Sequence, residues 1–322
     1  MSENKFLVSA PQVFCSVFFY LLSGMMLFCG GSLPAALFSA LFCALLCAVH
    51  ASLCGESSSF RLYNTVFGKC GTVFRYIAAF FASLPFCRTL LALSASAAVF
   101  HSGISSRALA PALAILCLFA VAKGFTRAAR FCELCVFPLI LAVLLSLLGG
   151  EGSGLSFNLG ADTVFSAFEI IGAAPIFLSL YLRSATAQNG KISVYAENST
   201  FRPSPLSAGV FASLSAPCVY AYFCLTGVGN ILFSFLAWFF ALARLSVFTL
   251  TLAELLAFPE KGKGAQSAFV ALAFSSFWLI FANLFPNITR ISQALAVLLP
   301  PFAILAMRWV KKEKILKRHT LE

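Results

Sequence analysis

The chain has 322 residues, 61% of them hydrophobic and 10% charged, with a mean hydropathy of +0.95. A soluble domain carries about 25% charged residues, so a water-soluble globule is excluded and an integral membrane protein is indicated. Lys and Arg outnumber Asp and Glu by 22 to 11, and for so apolar a chain the counter-charge is anionic lipid rather than nucleic acid.

A helix needs about 20 mostly apolar residues to cross hydrocarbon. Taken in chain order, the sequence reads as ten such spans: 10–30, 33–54, 73–101, 107–123, 129–149, 163–183, 205–227, 231–258, 266–286 and 291–310. The first carries Ser23-Gly24 mid-span and closes on Gly30-Gly31. The second and third end near His50 and His101, ordinary interfacial positions for histidine, and the third holds Arg88. The fifth contains Cys132-Glu133-Leu134-Cys135, whose spacing is that of a redox motif but which lacks an αβ context and a second pair. The sixth contains FEIIGAAP, with Gly172 and Pro175 mid-span. The eighth is longer than a hydrocarbon core and reads as an interfacial stretch, Asn230 to Trp238, leading into the true span. Stretches 55–72, 150–162 and 186–204 are polar loops, and the sequon at Asn198 falls in a cytoplasmic one. No cleavable signal peptide is expected, because the first run is span-length and another follows at once.

The basic residues orient these spans. With the N-terminus inside, 18 of the 22 Lys and Arg lie on the cytoplasmic side, only Arg107 and Arg290 lie outside, and Arg88 and Arg244 are within the membrane. Both termini are therefore expected in the cytoplasm, and Lys311 to Arg318 form a basic tail beside anionic headgroups. The expectation is an all-α, single transmembrane domain: one repeat over about 10–149, a second over about 163–310, and the tail 311–322.

Gly and Pro weaken helices and free backbone groups. The weak points of spans one and six are five helices apart, and an odd separation reverses chain direction. Spans 1–5 and 6–10 thus read as an inverted repeat with helices one and six broken, an arrangement that marks a midplane binding site. Packing glycines are the plainer reading of the same residues. Arg88, Glu133, Glu169, Arg244 and Glu254 fall inside spans, where each costs about 2.5–3.5 kcal/mol and needs a partner or a cavity. Arg88 is about 22 Å along an outward-running helix and Glu169 about 9 Å along an inward-running one, so the two share a depth and form an expected pair. Glu133 and Glu254 lie near cytoplasmic ends, where snorkelling or pairing with Arg130 suffices. The expected ligand site is lined by Ser23, Gly24, Met25, Phe168, Glu169 and Gly172, with Arg88 nearby. Half-helix dipoles there suit a carboxylate, and freed carbonyls or Glu169 suit an ammonium. No HExxH, GxSxG, Walker A or GxGxxG is present, so no catalytic residue, metal or cofactor is expected and the chain does not read as an enzyme. The twelve cysteines read as buried apolar residues rather than a disulfide framework.

Four segments resemble one family, the membrane B subunit of bacterial spore nutrient-germinant receptors, within the amino acid–polyamine–organocation transporter superfamily. VSAPQVFCSVFFYLLSGMMLF is similar to its Ser-x-x-Gln opening into a first helix broken at Gly. AVAKGFTRAARFCELCVFPLILA is similar to its basic lead into span five, FSAFEIIGAAPIF to its sixth helix, and FANLFPNITR to the Leu-Phe-Pro-Asn close of span nine. Cys29-Gly30 stands where the family has Leu-Pro. The resemblance implies a LeuT-like ten-helix bundle in the spore inner membrane or bacterial cytoplasmic membrane. It also implies partnership with a larger A subunit and a C-subunit lipoprotein, and recognition of a small nutrient such as an amino acid. The alternative reading is a proton- or sodium-coupled amino acid permease.

Overall fold

A computed structural model describes residues 10–54, 67–100, 125–147, 154–172, 174, 205–226, 230–256 and 264–319. These form helices α1 (Ala10–Phe28), α2 (Leu33–Cys54), α3 (Gly71–Phe100), α4 (Phe125–Leu134), α5 (Val136–Ser146), α6 (Ala161–Ile171), α7 (Pro205–Thr226), α8 (Asn230–Leu256), α9 (Gly264–Leu284) and α10 (Pro286–His319). Among the described residues no strand forms beyond an isolated bridge between Ser32 and Ser156. In hydrocarbon a helix is the one open-chain way to satisfy every backbone N–H and C=O within its own segment. Four helical segments, Pro11–Phe28, Gly71–Ala95, Ala129–Ser146 and Ser207–Thr226, are long and apolar enough to cross a membrane. The protein is an all-helical integral membrane protein.

The distribution of side chains is that of a protein solvated by lipid. Large apolar residues face outward, such as Phe137 at 71% exposure, Phe211, Ile280 and Phe302. Ser16, Ser23, Ser39, Ser83, Thr89 and Ser213 are buried among small alanines. In lipid, exposing Leu or Phe costs nothing, and small residues let helix backbones approach. The buried hydroxyls close onto their own helices, as in Ser39 Oγ to Ala36 O at 2.8 Å and Thr89 Oγ1 to Pro85 O at 2.9 Å.

Helix α1 lies at the centre, packed mainly on α7 and α8 and also on α4 and α6. Helix α2 fills the space between α7 and α6, and α3 packs on α8, α9 and α10. Groups expected at one end of the bundle do meet. Arg290 pairs with Asp162 at 2.9 Å at one end, while at the other end Gln12 Nε2 donates to Glu133 Oε2 at 3.3 Å and Arg75 Nε donates to Leu255 O at 2.9 Å. The Arg290–Asp162 end also carries a strap. Ser156 N donates to Gly31 O at 2.9 Å, Leu33 N to Ser156 O at 3.1 Å and Gly154 N to Cys224 O at 3.3 Å, while Gly31 N donates to the Tyr220 hydroxyl at 2.9 Å. The positive φ of 53° at Gly30 and 87° at Gly31 makes the tight α1–α2 turn that this strap crosses.

Several expectations are revised. Helix α1 is not broken at Ser23-Gly24 but runs unbroken to Phe28, because Ser23 Oγ bonds back to Tyr20 O at 3.0 Å and Cys29 N still reaches Met25 O at 3.0 Å. The eighth span is a single 27-residue helix, not an interfacial piece followed by a shorter span. At 1.5 Å per residue it is about 40 Å long. The fifth span is divided at Cys135, one turn before Pro138, whose missing N–H is tolerated in the first turn of α5. Phe285 alone separates α9 from α10, and α10 continues through the basic tail to His319. Glu133 takes Gln12 rather than Arg130 as its partner. The fourth span, 107–123, and Pro175 lie outside the described residues, as does the side chain of Glu254.

Orientation rests on the 18-to-2 basic split. A reporter active only outside the cytoplasmic membrane, fused after Glu322, is expected to be silent, and the same reporter inserted at Leu159 active. The reverse pattern would overturn this orientation, and equal activity at both places would overturn the ten-span topology.

Candidate functional site

The site is built where α6 stops. Helix α6 ends at Ile171, and Gly172 turns the chain with φ 45° and ψ −123°. That conformation suits glycine. Ending a helix in the buried interior leaves its last carbonyls without intrahelical donors. Here the orphans at Glu169 and Ile170 receive a side chain from another span. Arg244, on α8 and 0% exposed, donates from Nη1 to Ile170 O at 2.8 Å and from Nη2 to Glu169 O. The same guanidinium reaches α1 through Nη1 to Tyr20 O at 2.9 Å and α3 through Nε to Thr89 Oγ1 at 3.1 Å. The Tyr20 ring lies 4.3 Å from its Cζ and the Phe248 ring 5.2 Å. One planar fork therefore ties four spans at one point.

Beside it the expected ion pair forms. Arg88 on α3 contacts Glu169 through Nη2 at 2.7 Å and Nε at 3.1 Å, both to Oε1. The pair is lopsided in exposure: the Arg88 side chain is 31% exposed and that of Glu169 9%. Arg88 thus keeps an open face, and Oε2 of Glu169 is left for another donor. With Arg244 included, the junction holds two guanidinium groups and one carboxylate, a net positive charge.

Of the residues expected at the site, Gly24, Arg88, Glu169 and Gly172 converge on this junction, each against α6 or Arg244. A Cβ placed on Gly24 would press on Arg244 Nη1 and lie 3.2 Å from the Ile170 Cα, so glycine is what lets α1 and α6 touch there. A Cβ on Gly172 would overlap the Tyr20 hydroxyl and lie 3.0 Å from Phe248 Cζ. Ser23 and Met25 are fully buried in α1, the hydroxyl of Ser23 being used within the helix. Phe168 packs edge-on against Phe42 of α2, with ring centroids 5.7 Å apart. The plainer reading of Gly24, close packing rather than a broken helix, is what the geometry shows.

Sequence reasoning missed the residue at the centre. Arg244 was legible as the one charge in the apolar run from Ile231 to Ala253, but it had no depth while the start of span eight was ambiguous. Tyr20 and Thr89 carried no signal of their own. Cys132 and Cys135 are buried, and among the described residues no group of three or more His, Cys, Asp or Glu is placed to hold a metal. No protein-family model and no curated protein matches the chain.

Proposed function

We propose that this chain is the transporter-like membrane subunit of a spore nutrient germinant receptor, binding a small zwitterion such as an amino acid and passing the change to an A subunit and a C-subunit lipoprotein. The observation that carries the ligand assignment is the half-open Arg88–Glu169 pair at the end of α6. The exposed face of a guanidinium takes a carboxylate, and the second oxygen of the glutamate takes an ammonium. Both charges of an amino acid are then matched without leaving either member of the pair uncompensated.

The fold reading, an inverted repeat of five spans, is supported by how the helices pack. Exchange each span for the one five places on and several contacts map onto contacts, although α1 on α8 has no such counterpart in α6 on α3. Helix α1 on α7 answers to α6 on α2, and α1 on α4 to α6 on α10. Likewise α3 on α10 answers to α8 on α4 and α5, and α2 on α10 to α7 on α5. Helices α3 and α8 exchange with one another, and each sends an arginine to this junction: Arg88 reaches α6 by its side chain and Arg244 reaches both α1 and α6.

Thermal unfolding of the purified protein against a panel of amino acids, sugars and nucleosides tests the reading. One or more zwitterionic amino acids are expected to raise the melting temperature, sugars and nucleosides to leave it unchanged, and Glu169→Gln to abolish the response. Stabilisation of Glu169→Gln equal to that of wild type, or no response to any amino acid, would overturn the ligand assignment. Co-purification with a larger membrane subunit and a lipoprotein from the native host separates the receptor from a free-standing permease.

A further inference from the structure

The Arg244 guanidinium makes no hydrogen bond or ion pair to a carboxylate side chain; its partners are oxygens of neutral groups, three main-chain carbonyls and one hydroxyl. A buried charge without a carboxylate is expensive unless something else supplies negative potential. The end of α6 supplies it. The carbonyls of Glu169 and Ile170 belong to its last turn, where a helix carries about half a negative charge. The Tyr20 carbonyl of α1 adds a third oxygen, and the rings of Tyr20 and Phe248 present their negative faces. Carbonyls freed where a helix breaks, together with a half-helix C-terminal end, are the donor set with which broken-helix transporters coordinate a cation.

In this chain the end of α6 supplies two such carbonyls, the unbroken α1 adds a third, and the cation they hold is part of the chain. We propose that Arg244 is a tethered cation that fills the α1–α6 junction, so that the protein closes this junction, and therefore responds to its ligand, with no requirement for sodium or another alkali cation. The planar fork suits the task because it spans oxygens on two different helices at once, while Nε is anchored on a third through Thr89. Gly24 keeps the passage open, since any side chain there would occupy the place of Nη1. The inference rests on the transporter-like reading of the fold but not on the identity of the ligand, and it separates this chain from the sodium-coupled permease alternative.

The test uses the purified full-length protein without ligand, with melting temperatures measured in choline, sodium, lithium and potassium chloride at equal ionic strength. Wild type is expected to melt at the same temperature in all four. Arg244→Ala is expected to melt lower and to regain about 3 °C when low-millimolar methylguanidinium refills the vacated oxygens, a response wild type lacks. Selective stabilisation of wild type by sodium or lithium over choline would overturn the proposal, as would a folded Arg244→Ala that methylguanidinium fails to stabilise. If Arg244→Ala does not fold, the wild-type salt series decides alone. Because that series contains no amino acid, its failure is distinct from failure of the ligand assignment.

Discussion

Glu169→Gln is expected to destabilise the protein by about 2–3 kcal/mol, and adding Arg88→Gln to the same chain is expected to return most of that loss. The single substitution keeps the shape of the side chain but leaves the Arg88 guanidinium, two-thirds buried, without its carboxylate. The open face of Arg88 places the cost below the 3–5 kcal/mol of a wholly buried pair broken on one side. The double variant has no charge to compensate, and an amide on each side still forms a hydrogen bond. The backbone carbonyl of Glu169, which receives Arg244, is untouched by either change. Melting temperatures of the two singles and the double in one detergent close the cycle. Costs that add to within about 0.5 kcal/mol would show that the two residues do not stabilise one another.

Gly172→Ala is expected to cost about 2–4 kcal/mol, against much less for alanine at a glycine with open surroundings such as Gly160. Two separate penalties meet at Gly172. A φ of 45° with ψ at −123° lies outside the regions that an L-residue occupies comfortably, a strain of about 1–3 kcal/mol. The new methyl also overlaps the Tyr20 hydroxyl and crowds Phe248 and Pro85, and overpacking of a tight site costs about 1–3 kcal/mol. At Gly160, φ is −155° and nothing lies within 4 Å of the added carbon. Comparable melting temperatures for the two alanine variants would show that the α6 turn is not the constrained point described here.

What the sequence made legible follows from what membranes constrain. Span-length apolar runs, the turn at Gly30-Gly31 and the stop at Gly172 are one-dimensional features, because hydrocarbon thickness and backbone satisfaction act along the chain. The pairing of Arg88 with Glu169 was also readable, since depth is itself a linear coordinate and each residue needed a partner at that depth. The course of α1 was not. Ser and Gly in mid-span fit a broken helix and a close-packed one equally, and what Gly24 packs against, the Arg244 side chain arriving from α8, is announced by nothing in the local sequence. Gln12, the partner of Glu133, was hidden for a related reason: a polar residue at a span entrance looks interfacial until the opposing helix is in place.

The strap sets a rate as well as a shape. With the strap staying on α1 and α2, parting these helices from α7 breaks two hydrogen bonds, Gly154 N to Cys224 O and Gly31 N to the Tyr220 hydroxyl. Two hydrogen bonds at about 1 kcal/mol each hold the open form to roughly one molecule in thirty. A solute arriving through this end would then wait on that fluctuation, and its apparent association rate would be slowed by the same factor. Shortening the 154–156 crossing would speed arrival without altering a single atom that the solute touches.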